Sequence, residues 1–533
     1  MKNYPLYSNS LQPTLKDLLC FCAEKYGDNP AFQYADRKTD ISISFSQFKI
    51  QVEQLGTYLY AAGYRNCHIA VFGENSFEWI LTHFAITCGK NVIVPIDKDL
   101  VAEQIAELLR DSDCAAMFYS NNYSDIVEKL QKMELGISFY NMKNIPDMLV
   151  EGDQLIRDGE RNFLDVSVGK DDLASIVYTS GTTGKSKGVM LTHFNFSSCA
   201  HGACCNILNT GPVLLILPLH HTFGLVASVF SVMYYGNPVC INKSLKRLSA
   251  DFQKYQPQLI FVVPMVLEAL YKTVWNTAKK QGKDKTLQVL VKVSDVLLKC
   301  GIDLRKQLFR SVLSSFGGNL DMIVSGGAPL DEKYVQAFRS FGITILNGYG
   351  ITECGPVVAV NRNKFSVPRS VGIPLCCNEV KIADDGEMLV KGSNVMIGYY
   401  HNEAENEKAF IDGWFRTGDL GRVDEFGALH ITGRIKNLII LSNGENISAE
   451  SIEQAVYAIP YVKEVIAYGQ DDVIVAEVFL DEDVLDAREQ IQEAIKAINY
   501  NLPLVRNIGK IVIRDKEFPK TTTKKIKRNY GGQ

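Results

Sequence analysis

Short apolar runs that break off into polar, glycine-rich turns set the strongest limit on how this chain can fold. Residues 176–178, 213–217, 259–263, 322–324 and 343–346 read as strands, and several lead directly into Gly-, Ser- or His-rich segments. Between them, residues 100–109, 263–272 and 332–340 carry apolar side chains at helical spacing. This alternation predicts an α/β fold of layered, largely buried strands with helices. In such sheets ligands sit beyond the carboxyl ends of the strands, where these polar turns fall. A length of 533 residues exceeds what one core supports, so two to four domains or subdomains are expected.

The pattern changes after about residue 378. Residues 380–390 (VKIADDGEMLV) and 421–433 (GRVDEFGALHITG) alternate around Asp-Gly and Phe-Gly turns, which predicts hairpins. From residue 435 a small α+β unit is expected, with helices near 449–458 and 487–499 and strands near 465–469, 473–480 and 510–514. The predicted organisation is a large N-terminal domain, 1–434, of layered sheets with helices plus a hairpin-rich subdomain. A small α+β C-terminal domain, 435–533, follows it.

The chemistry concentrates first in YTSGTTGKSKGVMLTH, residues 178–193. Thr179, Ser180, Gly181, Thr182, Thr183 and Gly184 lie between an apolar run and two lysines, Lys185 and Lys187. A loop of this make-up brings backbone N–H groups and hydroxyls close to phosphate oxygens, while lysine adds positive charge. An ordinary surface turn has the same composition, so the loop alone decides nothing. Spacing excludes two nucleotide motifs. A Walker loop needs four residues between its first glycine and the Gly-Lys pair, and only two separate Gly181 from Gly184. Gly348-Tyr349-Gly350 continues as Ile351, Thr352 and Glu353, without the third glycine of the dinucleotide fingerprint.

Further segments have unusual polar content. Pro218 to Gly224 includes His220, His221 and Phe223; adjacent histidines in a strand or helix do not face one metal site without distortion. Gly326, Gly327 and Ala328 follow one apolar run, and Asn347, Gly348, Tyr349, Gly350, Thr352 and Glu353 follow another. The latter supplies a stacking face, a hydroxyl and a carboxylate suited to magnesium. Asp419 suits a ribose diol. Residues 519–528 form a basic tail.

The remaining composition narrows the partners. A net charge of −4 gives no reason to expect nucleic acid. Thirteen cysteines, with pairs at 20/22, 204/205 and 376/377, fit neither zinc spacing nor a disulfide frame, so reduced thiols in a cytoplasmic protein are expected. No signal peptide is expected from the first residues, and the longest apolar stretch, 213–235, is broken by Pro218, His220, His221 and Gly224.

In this order and spacing, the segments resemble the adenylate-forming superfamily of acyl-CoA synthetases, luciferases and peptide-synthetase adenylation domains, over residues 15 to 530. The look is nearest to long-chain fatty acid–CoA ligases. The resemblance implies that residues 179–185 bind the ATP phosphates, with Thr182, Thr183 and Lys185 as contacts. It assigns Gly326, Gly327, Ala328 and Tyr349 to the adenine pocket, with Tyr349 stacking, Asn347, Gly348 and Gly350 to ATP or AMP binding, Thr352 to a phosphate contact and Glu353 to magnesium. Asp419 and Arg434 would bind ribose or phosphate, and Lys525 would be the catalytic lysine. Two departures stand out: Lys524 occupies a position commonly held by glycine, and Ala449 one often held by proline.

The resemblance also implies a second half-reaction, in which a mobile C-terminal domain turns about Lys436 and a thiol attacks the acyl-adenylate. The acceptor would be CoA, or the phosphopantetheine of an acyl carrier protein. His221 and Phe223 would lie beside the acid, with His221 also catalytic. Pro218 to Gly224 holds no carboxylate to pair a substrate ammonium, which disfavours amino acids. Residues 272–309 combine many cations with Leu287, Leu290, Val291, Val293, Val296, Leu297 and Leu298. They read either as a solvated helix face or as a peripheral membrane contact. The expected substrate is a medium- or long-chain fatty acid.

Overall fold

The computed structural model describes residues 3–36, 39–180, 186–441, 446–481, 486–501, 507–520, 526 and 528. The chain forms two compact units, Met1–Glu379 with Val390–Phe415, and Val380–Leu389 with Arg416–Gln533.

The first unit is built on two mixed sheets. One runs in the order Ile373–Pro374, Ala359–Val360, Thr344–Tyr349, Met322–Ser325, Leu259–Val262, Val213–Leu215, Val239–Ile241, Pro30–Asp36, Thr39–Ser44. Its middle strands are parallel and buried, as their unbroken apolar sequences require. Helices Pro264–Lys280 and Glu332–Phe341 bury Leu267, Phe338 and Phe341 against Ile260 and Ile323. The second sheet runs Gly398–Tyr399, Ser186–Thr192, Leu173–Ser180, Val92–Ile96, His68–Phe72, Cys114–Tyr119, Ser138–Asn141.

Local chemistry moves several strand and helix ends from their expected positions. The strand expected over 213–217 stops at Leu215. Beyond it the Asn75 amide donates to the Leu217 carbonyl and accepts from the Leu219 N–H, each at 2.9 Å, in place of ladder bonds. Val263 precedes a proline and stays extended, so the next strand ends at Val262 and Pro264 opens the helix at its first position. The last parallel strand continues to Tyr349, pairing Gly348 with Val360 and Tyr349 with Ala359. Asn347, Gly348 and Tyr349 are therefore strand residues rather than turn residues. In helix Asp284–Lys299 the expected apolar face divides: Leu287 is buried and Leu290 and Val291 pack beneath it, whereas Val293 and Val296 are exposed.

In the second unit, strand Trp414–Val423 pairs antiparallel with Leu429–Arg434 from residue 419 onward, as the hairpin pattern predicts. A three-stranded sheet of Val462–Gln470, Val473–Leu480 and Ile508–Arg514 follows. Helices Ala449–Tyr457 and Ala487–Asn501 cover it, burying Ile452, Val456 and Ile491 on Val465, Ile474 and Val478. Among the described residues, no helix is long and apolar enough to cross a membrane.

Candidate active site

Parallel pairing in the first unit brings the Gly-rich segments to one sheet end. Ser325 lies opposite both Val262 and Asn347, so residues 326–328 and 348–350 leave neighbouring strands side by side. Gly326 is the point of closest approach. A Cβ there would stand 3.3 Å from the Phe223 ring and 3.5 Å from the Gly348 carbonyl oxygen, so three separated motifs converge on one glycine. Gly327 and Ala328 are exposed beside it. The Ser325 hydroxyl is buried there with no hydrogen-bond partner among the described residues. The Asn347 amide nitrogen donates to the Ser370 carbonyl at 3.2 Å, which fixes the strand end.

Thr352 and Glu353 sit in one 3₁₀ turn, and the Glu353 backbone carbonyl accepts from the Met396 N–H at 2.8 Å. The Glu353 carboxylate accepts from the Tyr399 hydroxyl at 3.0 Å. Burial, reinforced by the Glu353 charge, raises the Tyr399 phenol far above its ordinary value, so it stays a neutral donor. Strand Gly398–Tyr399 pairs with Met190 and Val189, which places Tyr399 beside the hairpin of strands Leu173–Ser180 and Ser186–Thr192. Lys187 lies 5.0 Å from the Tyr399 ring centroid and forms an ion pair with Glu405. That ammonium, together with Lys408, lowers the Glu405 carboxyl. The hairpin pairs Thr179 with Lys187 and Ser180 with Ser186. Gly181, Thr182, Thr183, Gly184 and Lys185 lie outside the described residues.

His220 and His221 sit in a turn rather than a strand or helix, and their rings approach to 4.2 Å between centroids. His220 Nε2 lies 3.3 Å from Asp97 Oδ1. Burial and the neighbouring His221 hold the His220 imidazole down to about 3, so it is neutral. The carboxylate missing from residues 218–224 thus arrives from a distant turn after strand Val92–Ile96. Phe223 meets Phe261 edge-on at 6.3 Å, forming an apolar wall.

In the second unit the register places Asp419 opposite Arg434, and Arg434 Nε lies 2.7 Å from Asp419 Oδ1. The Asp419 side chain is only 2% exposed. The strand before it is held by Glu387, whose two oxygens accept from the Gly418 N–H and Arg416 Nε, both at 2.8 Å. Lys436 occupies the following 3₁₀ turn; burial, Arg434 and Arg528 lower its ammonium, against Asp419 and Glu450.

Lys525 lies outside the described residues, but the chain on either side is anchored. Glu464 receives the Phe518 N–H at 2.8 Å and the Lys520 ammonium at 2.5 Å. Ile526 pairs with Lys520 and packs against Phe518 and Ile466. Arg528 reaches Glu453 at 2.5 Å and Glu450 at 3.6 Å. The described tail residues Lys520, Ile526 and Arg528 are therefore held by the fold rather than solvated.

Sequence reading missed Tyr399, Glu405, Asp97 and Glu387. Each is an ordinary residue in an ordinary segment, and long-range pairing alone gives it a place. The one available signal was Lys187, a second lysine beside the phosphate loop that called for a carboxylate partner.

Comparison with known proteins places this geometry in a family. Residues 21–400 match the family model for AMP-binding enzymes, and residues 436–530 match the AMP-binding enzyme C-terminal domain. A long-chain-fatty-acid–CoA ligase of Mycobacterium bovis is 31% identical over 458 residues, covering 81% of this chain and 75% of that protein. A 2-succinylbenzoate–CoA ligase of Listeria monocytogenes is 30% identical over 508 residues, covering 91% and 93%. The o-succinylbenzoate CoA synthetase of Bacillus subtilis, solved with ATP and magnesium, shares the fold with a TM-score of 0.73 at 22% identity, covering 97% and 98%. The chain belongs to the AMP-binding enzyme family and is an acid–thiol ligase.

Proposed function

We propose that this ligase activates a medium- or long-chain fatty acid as its acyl-adenylate and transfers the acyl group to CoA. The observation that carries the reading is the convergence of the Phe223 ring, Gly326 and the Gly348 carbonyl beside the turn that holds Glu353. This gives an apolar wall, a nucleotide ledge and a carboxylate at one sheet end. The likeness to a protein named a long-chain-fatty-acid–CoA ligase supports the aliphatic choice.

In this reading the substrate carboxylate oxygen attacks the α-phosphorus of ATP, and the bond to the β-phosphate oxygen breaks to release pyrophosphate. Thr182, Thr183 and Lys185 hold the β- and γ-phosphates, Tyr349 stacks on adenine, and Asp419 and Arg434 bind the ribose. Lys525 sets its ammonium between carboxylate and α-phosphate, relieving like-charge repulsion and gathering the transition-state charge. The thiol then attacks the acyl carbon, AMP leaves, and the thiol proton passes to solvent. Lys436 is the hinge between the two steps, at the start of a C-terminal domain over residues 435–533.

The Glu353 carboxylate is a hard oxygen donor that fits magnesium, and Tyr399 holds it in place. When bound, the metal supplies charge neutralisation of pyrophosphate.

A pyrophosphate-release assay across carboxylic acids, followed by thioester detection with CoA or a phosphopantetheinylated carrier, tests the reading. Fatty acids should release pyrophosphate, and free CoA should accept the acyl group. Turnover confined to aryl acids, or transfer confined to the carrier, would refute it.

A further inference from the structure

Three cysteine-pair neighbourhoods in the sequence show no metal spacing, yet folding assembles a ligand set from two of them. His201 and Cys205 stand four residues apart on helix His193–Asn206 and so share one face. Cys376 meets them from the segment before strand Asn378–Ile382. One ring nitrogen of His201 and the two sulfurs all lie within 4.8 Å of one another. Cys205 Sγ is 3.9 Å from His201 Nδ1 and 3.7 Å from Nε2.

We propose that His201, Cys205 and Cys376 form a zinc-binding site, with water completing a tetrahedron. A tetrahedral zinc with ordinary bond lengths needs about 3.6 Å between nitrogen and sulfur, near the 3.9 Å from Cys205 Sγ to His201 Nδ1, and about 3.8 Å between sulfurs, inside the 4.8 Å that bounds the three atoms. Two sulfurs and one imidazole are the donors that select this metal over hard cations. The histidine is already oriented for the task. Its Nε2 lies 3.1 Å from the Asn9 carbonyl oxygen, which can only accept, so Nε2 carries the hydrogen and Nδ1 keeps the lone pair. Cys205 is buried and Cys376 exposed, so ions can enter from solvent while one ligand stays anchored.

The ion would join two distant stretches, helix His193–Asn206 and the segment through Cys376, and the N-terminal strap that carries Asn9 braces the histidine. The strap is held at its far end by buried Arg362, which donates to the Pro5 carbonyl at 2.7 Å, and beside the site by the Tyr7 N–H on the Cys205 carbonyl at 2.9 Å.

The test uses the whole 533-residue chain in reduced form and does not depend on turnover. After treatment with a chelator and titration with zinc, one equivalent should bind with submicromolar Kd and raise Tm by a few degrees. Cobalt in its place should give sulfur charge-transfer absorption and tetrahedral d–d bands. Cys376→Ser, at an exposed position, should weaken zinc binding at least 10-fold and remove the cobalt charge-transfer intensity in part. His201→Ala should weaken binding but keep the sulfur bands. Failure to bind one equivalent, or binding and spectra that Cys376→Ser leaves unchanged, would overturn the assignment. So would recovery of Cys205 and Cys376 as a disulfide that zinc does not prevent.

Discussion

The Tyr399 hydroxyl donates to Glu353 Oε1 at 3.0 Å, and this contact joins the strand beside the phosphate loop to the carboxylate assigned to magnesium. Its geometry is fixed from both sides. The Asn406 side chain accepts from the Tyr399 N–H at 2.6 Å and donates to its carbonyl at 3.0 Å. The Glu353 carbonyl is held by Met396. A hydrogen bond to a charged acceptor is worth about 1.5–3 kcal/mol. Tyr399→Phe should therefore slow pyrophosphate release about 10-fold and raise the magnesium concentration needed for half-maximal rate, while Tm moves little. An unchanged magnesium dependence would separate Tyr399 from the function assigned to Glu353.

Lys525 offers a sharper test, because the two half-reactions are assigned different groups. Lys525→Ala should lower acyl-adenylate formation by about 10²–10³, the cost of one electrostatic contact in a transition state. Thioester formation from preformed acyl-adenylate should stay within a few-fold of the parent. Lys524→Ala should leave both steps near normal. Equal losses in the two lysine variants would mean that the adjacent residue shares the role.

Strand positions were legible in the sequence wherever the signal was local. The buried runs at 259–263 and 322–324 needed only their own apolar residues to be read, and Pro264 alone fixes where the first one ends. The strand end at Leu215 was not legible, because the Asn75 side chain that diverts the chain lies far away in sequence. The same reason hid Tyr399. Nothing in Gly-Tyr-Tyr marks a carboxylate partner until the strand pairs with Val189. His201, Cys205 and Cys376 are the extreme case, where only the packing of a helix on a distant loop brings the ligands together.

Glu387 is predicted to act through Asp419. Its carboxylate, 3% exposed, takes the Gly418 N–H and the Arg416 guanidinium and so sets the strand segment from which Asp419 projects. Glu387→Gln should keep the fold but raise KM for ATP about 10-fold, because a neutral amide presents one acceptor oxygen where two were used. The kcat at saturating ATP should change less than 3-fold. A loss in kcat with unchanged KM would show that Glu387 does not position the nucleotide site.

Acid should destabilise the first unit through two buried histidines. His83 is fully buried among Trp79, Phe84 and Phe230, and neither ring nitrogen has a hydrogen-bond partner among the described residues. Burial, with a smaller effect from His193, holds it down to about 3. His193 accepts the Leu15 N–H at Nδ1, 3.3 Å away; burial holds it down to about 4, against the opposing charge of Asp172. Both stay neutral in the fold, while in the unfolded chain they take up protons below the ordinary value of 6.5. Their stabilising contribution is therefore complete above pH 6.5 and falls as pH drops towards 4 and 3. Between pH 6.5 and 5 each should cost about 2 kcal/mol. Denaturant titrations at pH 7.5 and 5.0, read by hydrogen exchange in helices Phe77–Thr87 and His193–Asn206, measure the loss. His83→Leu keeps an apolar side chain in the site and should shrink the drop by about 2 kcal/mol. An identical drop in the variant would mean that His83 is not proton-linked to folding.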